Sequence, residues 1–267
     1  MNFNRIITTV VGLPAVIATL VLGNIYVIDV LFAIIACMSL HEYFGGFKGK
    51  AKPVKWLGYI ACLLISVIHL VPRQYAVMII GILIPTSMII LFTQSIITNM
   101  KFNIIDLAIT FFGICYIPLF LMYMPMTMGE ENGKLLVWYM VITAWGTDIF
   151  AYLVGKNMGK HKFSKISPNK SLEGCVGGIL GSIIITLIYT YVINNYFSLN
   201  INYLFISIVA FILSIIGQIG DFSASSIKRY VGIKDFSNLL PGHGGMLDRI
   251  DSLIFIAPFA YLLLRLL

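Results

Sequence analysis

Acidic, hydroxyl and basic side chains recur at helical spacing directly after one of the chain's apolar runs. Asp221, Ser225 and Lys228 stand at positions i, i+4 and i+7. A helix that continues past residue 221 would therefore carry a carboxylate, a hydroxyl and a cation on one face. Arg229 and Lys234 add positive charge to the same segment. This set of groups suits a divalent cation together with phosphate oxygens, which is the chemistry of phosphoryl or nucleotidyl transfer.

A proline- and glycine-rich turn follows these residues at 241–245, and it cannot form a regular helix. The N–H groups of Gly244 and Gly245 can approach an anion closely, and His243 offers a further donor or only a structural hydrogen bond. Asp248 and Asp251 come next, three residues apart at the start of the last apolar run. At that spacing both carboxylates can point towards one site.

Asp148 is the clearest case of a carboxylate inside an apolar run. A charge placed in hydrocarbon costs a few kcal/mol, about 2.5–3.5 by membrane-insertion scales, so this position predicts a functional residue. Trp145 and Tyr152, three residues before and four after, extend the same helical face towards the protein interior. Glu42, beside His41, fits either a functional role or a helix-end charge paired with Lys or Arg.

A second polar stretch, residues 155–178, is basic and rich in glycine. Lys170 and Ser171 precede an apolar run, where they could hold phosphates at a helix N-terminus, and Glu173 follows in the first turn. The stretch lacks the GxxxxGK[ST] pattern of a P-loop. On spacing alone, a solvated basic loop remains the alternative.

The elements that must position these residues are membrane helices. Of the 267 residues 59% are apolar and only 11% are charged, against about 25% charged in an ordinary soluble domain. We predict an all-α polytopic membrane protein and exclude a soluble enzyme or a disordered chain. Nine runs approach the length of about 20 residues that crosses a bilayer. They lie near 6–22, 25–45, 56–72, 75–98, 104–124, 135–155, 175–193, 202–221 and 252–267.

The distribution of positive charge predicts the orientation of these spans. With the N-terminus in the cytoplasm, fifteen of the 18 Lys and Arg residues fall on the cytoplasmic side. The net charge of +7 is therefore explained by cytoplasmic loops, and we predict no nucleic-acid partner. The two long polar stretches, 156–174 and 222–251, then face the cytoplasm. We predict a single integral domain over 1–267, with N-terminal helices in 1–130 and the catalytic helices and loops in 135–267.

The segment 225–251 resembles the signature of the phosphatidate cytidylyltransferases, also called CDP-diacylglycerol synthases. The pattern is S-x-hydrophobic-K-R-x4-K-D-x-small-x2-hydrophobic-P-x-H-G-G-hydrophobic-x-D-R-hydrophobic-D, and it runs here from Ser225 to Asp251 without a departure. Residues 167–174 and 148–156 look like further family blocks. The first five spans resemble the family only in being hydrophobic helices.

The resemblance implies that CTP and phosphatidic acid react to give CDP-diacylglycerol and pyrophosphate with Mg²⁺ and, in some arrangements, a second cation. It also implies a homodimer in the cytoplasmic membrane. On this basis we expect metal ligation by Asp221, Asp248, Asp251 and Asp148. We expect catalytic roles for Asp221, Asp248, Lys228, Arg229 and His243. We expect substrate contacts from Lys170, Ser171, Glu173, Ser225, Lys234, Gly244, Gly245 and Arg249.

Two other functions fit parts of the pattern. A CTP-dependent lipid-alcohol kinase would also use CTP at a membrane, but it would release CDP, and the full 225–251 signature argues against it. A cation-coupled transporter could line its path with Asp148 and Asp221. Transporters often show repeats and broken helices in both halves of the chain, whereas the charge here is concentrated in one half.

Overall fold

The computed structural model describes residues 13–162, 164, 166–239, 242 and 244–267. Part of the first predicted span, residues 6–12, and the predicted site residue His243 lie outside the described residues. Every regular element in the described ranges is helical, which confirms the all-α prediction. One isolated antiparallel pairing joins Lys162 to Ser171.

The helices follow the predicted apolar runs closely. In the described ranges the α-helices are α1 (Leu13–Leu22), α2 (Ile25–Gly46), α3 (Lys55–Ile65), α4 (Arg73–Ile97), α5 (Ile104–Ile114), α6 (Tyr123–Met128), α7 (Gly133–Met158), α8 (Leu172–Phe197), α9 (Tyr203–Val231) and α10 (Leu247–Leu264). A 3₁₀ turn follows α3 at Ile68–Leu70, and a π-helical turn containing Pro118 follows α5 at Cys115–Leu119.

Five helical stretches of the described residues are long and apolar enough to cross a membrane. They are α2, the stretch Ile104–Met128 that contains α5 and α6, and the helices α7, α8 and α9. Two further apolar segments are shorter, α3 and residues Gly81–Ile97 of α4. These lengths support a multi-pass membrane protein.

Two acids outside the predicted site have structural partners. Asp106 and Asn103 form a reciprocal capping box at the start of α5, in which the Asn103 N–H donates to Asp106 at 2.9 Å and the Asp106 N–H to Asn103 at 3.0 Å. A first-turn carboxylate also suits the positive end of the helix dipole. Asp29 is fully buried, and one of its oxygens lies 2.7 Å from His69 Nδ1.

The chain divides into two compact units. The first unit contains the residues up to Gly129 together with Tyr230–Arg249, and the second contains Glu130–Arg229 together with Ile250–Leu267. The predicted site residues are distributed over both units.

Within the second unit, α7 and α8 pack closely through glycines of α8. A Cβ atom added at Gly174 would lie 2.8 Å from the Ala151 carbonyl oxygen, and one at Gly178 would lie 2.8 Å from that of Thr147. Small residues allow helix backbones to approach in this way. The packing fixes the end of α7 beside the start of α8, where the candidate site lies.

Candidate functional site

A polar cavity of about 510 Å³ opens within the second unit where α7 ends, α8 begins and α9 passes. Its volume is in the range of ligand pockets, about 300–1,000 Å³. Its lining consists of Asp148, Ala151, Tyr152, Gly155, Lys156, Ser167, Asn169, Lys170, Ser171, Gly174, Cys175, Gln218 and Asp221. Four predicted site residues, Asp148, Lys170, Ser171 and Asp221, are thus brought together.

An ion pair joins two of the charged side chains that line this cavity. The Lys170 ammonium group binds Asp221 Oδ2, and the two side chains are each about one quarter exposed. The same ammonium group lies 4.4 Å from the centre of the Phe222 ring. The pair holds one cation and one carboxylate at the cavity surface, where a charged ligand can reach both.

Ser171 is the N-cap of α8, and its side chain is buried. Its hydroxyl oxygen accepts the N–H of Gly174 at 3.1 Å, which satisfies one of the free donors at the helix start. The end of α7 lies close to this point, since a Cβ at Gly159 would lie 2.5 Å from the Ser171 hydroxyl. Lys170 lines the cavity directly before the start of α8.

The helix α9 continues past residue 221, as the spacing of Asp221, Ser225 and Lys228 requires. The Ser225 hydroxyl donates to Asp221 Oδ1 at 3.5 Å, which confirms that these two residues share one face. One turn earlier, the Gln218 side-chain amide donates to the Cys175 carbonyl oxygen at 3.2 Å and ties α9 to α8. Lys228 is half-buried further along α9.

One predicted catalytic residue, Arg229, and one predicted substrate residue, Glu173, contact the 159–171 loop. Arg229 Nε donates to the Ile166 carbonyl oxygen at 3.3 Å. Glu173 does not line the cavity. Its carboxylate lies 2.5 Å from His161 Nδ1, and it accepts the N–H groups of Lys160 and His161 at 3.2 Å. In the structure both side chains therefore shape the loop.

The donor set of the cavity fits a divalent cation that is held jointly by protein and substrate. Among the described residues no group of three or more His, Cys, Asp or Glu side chains is arranged to hold a metal ion. Mg²⁺, however, is commonly bound by one or two carboxylates together with substrate phosphates and water. Asp148 and Asp221 line the same cavity and supply those two carboxylates. Asp251, the third aspartate of this unit, is buried, and its carbonyl oxygen packs against Gly220.

The remaining predicted residues that the structure describes belong to the first unit. Asp248 Oδ2 accepts the N–H groups of Phe236 at 2.9 Å and of Gly245 at 3.0 Å, so this carboxylate organises the turn before α10. Gly244 has a φ of +82°, a conformation that L side chains rarely adopt. Lys234 and Arg249 are exposed.

Comparison with known proteins shows the family of the chain. The sequence model of the cytidylyltransferase family matches residues 3–267. The chain belongs to this family. The match includes the first five spans, which on sequence alone resembled the family only in their hydrophobicity.

The chain is similar to several bacterial proteins named phosphatidate cytidylyltransferase. It is 37% identical to the protein of Staphylococcus haemolyticus (strain JCSC1435) over 176 residues, 66% of this chain and 65% of that protein. It is 36% identical to the Bacillus subtilis (strain 168) protein over 186 residues, 67% of this chain and 66% of the relative. It is 39% identical to the Staphylococcus aureus (strain COL) protein over 183 residues, 68% of each chain. The matches thus span about two thirds of the relatives' length.

Several cavity residues of this cytidylyltransferase-family chain were not predicted as site residues. Tyr152, Lys156, Asn169 and Gln218 all line the cavity. Three of them lie in the two segments that were noted as family blocks, 148–156 and 167–174. Gln218 had a different signal, a side-chain amide three residues before Asp221 in an otherwise apolar run.

Proposed function

We propose that this protein is a phosphatidate cytidylyltransferase, which converts CTP and phosphatidic acid to CDP-diacylglycerol and pyrophosphate. The observation that carries the proposal is the 510 Å³ cavity, in which two carboxylates and two lysines meet at the start of α8. The family membership of the chain supports it, as do the names of the relatives. The 225–251 signature supports this activity over a CTP-dependent kinase.

The proposed reaction needs no nucleophile from the protein. A phosphate oxygen of phosphatidic acid attacks the α-phosphorus of CTP and forms the new P–O bond. The bond from the α-phosphorus to the oxygen that bridges it to the β-phosphorus breaks, and pyrophosphate leaves with that electron pair. Because the attacking phosphate is already anionic near neutral pH, the protein contributes positioning and charge neutralisation.

The cationic and hydroxyl groups of the second unit have distinct roles in this proposal. Lys170, directly before the N-cap of α8, and the hydroxyl of the N-cap residue Ser171 hold the phosphates of CTP. Lys228 and Arg229 neutralise oxygens of the lipid phosphate or the α-phosphate. The sequence also assigns substrate contacts to Lys234, Arg249, Gly244 and Gly245. His243 as a donor to the leaving pyrophosphate rests on the sequence alone.

A divalent cation is part of the proposal, with Mg²⁺ as the expected ion. Asp148 and Asp221 would hold it in the cavity, and the sequence also assigns Asp248 and Asp251 to metal ligation. When bound, the ion supplies positive charge to the phosphate oxygens and orients them. The same carboxylates would otherwise repel an anionic substrate.

The proposed setting is the cytoplasmic membrane, with nine spans and a cytoplasmic N-terminus. The excess of Lys and Arg in the loops after alternate predicted spans supports this orientation. It exposes the loop 156–174 and the segment 222–251 to soluble CTP at the level of the lipid headgroups. We further propose that the chain is one integral domain, with its catalytic part in 135–267, and that it acts as a homodimer.

The decisive experiment supplies purified protein with CTP, phosphatidic acid and Mg²⁺ and identifies the products. CDP-diacylglycerol and pyrophosphate, formed in equal amounts and lost with EDTA, would support the proposal. CDP with a newly phosphorylated lipid would replace it with a kinase. A folded preparation that turns over no CTP with any of several lipids and metals would overturn it, and ion flux in vesicles would then test a transporter.

A further inference from the structure

The end of α2 contacts the segment that joins α9 to α10, although about 190 residues of sequence separate them. Lys50 donates to the Tyr230 carbonyl oxygen, and its ammonium group lies 4.7 Å from the centre of the Tyr230 ring. A Cβ added at Gly46 would lie 3.3 Å from Ile233 and 3.8 Å from Phe236. These contacts lie within the first unit, and they align α2 with the segment 230–247.

Glu42 is the centre of this contact, and it is buried, with 3% of its surface exposed. Its Oε1 accepts the Ser237 hydroxyl at 2.6 Å and the Met246 N–H at 2.9 Å, and its Oε2 accepts the Leu247 N–H at 2.8 Å. On sequence alone, one alternative for Glu42 was a helix-end charge paired with Lys or Arg. In the structure Glu42 instead binds a hydroxyl and two backbone amides, all from the 237–247 loop.

Two residues of the signature are explained by this contact. A Cβ atom at Gly245 would lie 2.5 Å from Glu42 Oε2, so a side chain at this position would displace the carboxylate. The Gly245 N–H donates at 3.0 Å to Asp248, whose same oxygen accepts the Phe236 N–H. Glu42 and Asp248 therefore both contact the loop at Gly245. A Cβ there would meet the Glu42 carboxylate, and the N–H there donates to Asp248.

We infer that Glu42 is a positioning residue, which holds Ser237 and the backbone of Met246 and Leu247 where the neighbouring polar groups face the substrates. The inference rests on the proposed function, because that function makes Gly244, Asp248 and Arg249 part of the reaction site. Glu42 itself touches no substrate in this proposal. Its carboxylate fixes the loop's backbone through charge-assisted hydrogen bonds, which neutral side chains reproduce only in part.

The test compares Glu42→Gln and Glu42→Ala in the full-length purified protein with two controls on the same helix. Asp29→Asn also neutralises a buried carboxylate of α2, but one that pairs with His69. Gly45→Ala alters an exposed position at which an added Cβ meets no atom within 4 Å. Each variant is measured for kcat and KM with CTP, for thermal unfolding, and for amide hydrogen exchange by mass spectrometry.

We expect kcat to fall at least about tenfold in Glu42→Gln and further in Glu42→Ala, with KM for CTP changed by less than about threefold. Exchange should rise in peptides covering 236–248 while the α7 and α8 peptides stay protected. Asp29→Asn should lower the unfolding temperature, but it should not lower kcat selectively while KM for CTP stays nearly unchanged. The inference would be overturned if exchange in 236–248 stayed unchanged in the Glu42 variants. It would also be overturned if their activity fell only in proportion to the unfolding temperature, as expected for Asp29→Asn.

The exchange measurement is independent of catalysis. If the wild-type protein turns over no CTP, the proposed function fails, and the exchange data still decide whether Glu42 holds the loop. A double-mutant cycle adds a second check. The exchange increases of Glu42→Ala and Ser237→Ala should be less than additive, because each removes the hydrogen bond between these two side chains. Full additivity would contradict the contact.

Discussion

Lys170 and Asp221 form an ion pair across the cavity, and it joins the loop before α8 to the middle of the long helix α9. In the proposed reaction each residue gains a second partner. The phosphates of CTP bind Lys170, and the divalent cation that accompanies CTP binds Asp221. The pair therefore orients both groups before the substrates arrive.

Asp221→Asn should lower kcat by at least about 100-fold, the loss typical of removing one group that stabilises charge in a transition state. The amide keeps the size of the side chain but cannot balance a cation or Lys170. Steady-state kinetics with CTP and phosphatidic acid provide the measurement. Glu131→Gln, which neutralises an exposed acid in a loop away from the cavity, is the matched control and should leave kcat unchanged. Activity close to wild type would remove Asp221 from the catalytic machinery.

Lys170→Met should act mainly on CTP binding and raise its KM about 10- to 100-fold, the equivalent of about 1.5–3 kcal/mol for a hydrogen bond to a charged group. Lys170→Arg should recover part of the loss because the positive charge remains. Lys134→Ala removes a lysine of the same unit that does not line the cavity, and it should be silent. An equal loss in Lys134→Ala would argue for a general effect of net charge.

Gly178→Ala should destabilise the packing of α7 on α8. The added methyl group would lie 2.8 Å from the Thr147 carbonyl oxygen, and overpacking of this kind costs about 1–3 kcal/mol. Thermal unfolding in detergent should therefore begin at a lower temperature. Gly81→Ala in α4 is the control, since a Cβ there meets no atom within 4 Å. Equal unfolding temperatures for the two variants would show that the helices can separate without cost.

Glu173→Gln should change catalysis only modestly, about twofold to fivefold in KM for CTP, because its partners in the structure are an exposed histidine and loop amides. His161→Gln removes the other side of the same pair and should give a similar change. The sequence instead predicts Glu173 as a direct substrate contact. A large effect of Glu173→Gln with a silent His161→Gln would favour that direct contact.

The sequence predicted what depends on local pattern. Apolar runs gave the helices, and the i, i+4 spacing placed Ser225 on the same face as Asp221, as the structure confirms. The role of Glu42 was not predictable in this way, because its partners lie about 200 residues away and two of them are backbone amides, which leave no mark on the sequence. Gln218 was missed for a similar reason, since its bond to Cys175 depends on how α9 packs against α8.

Asp248 shows why the choice of variant matters for the metal. Its Oδ2 accepts two backbone N–H groups, so Asp248→Asn would disturb the loop as well as any bound ion. Loss of activity in that variant is expected under either role. The cavity carboxylates Asp148 and Asp221 are the better test of metal binding.

Asp148→Asn should raise the Mg²⁺ concentration needed for half-maximal activity about 10- to 100-fold, the range seen when groups around a bound metal are removed. Asp148 lines the cavity from α7 and Asp221 from α9, so an ion between them would lose one of its two protein carboxylates. Saturating Mg²⁺ should restore much of kcat, whereas a purely structural defect would not respond to the ion. Mn²⁺ binding followed by electron paramagnetic resonance gives the same answer without turnover. Unchanged Mn²⁺ affinity in both Asp148→Asn and Asp221→Asn would place the metal elsewhere and leave the cavity to the nucleotide alone.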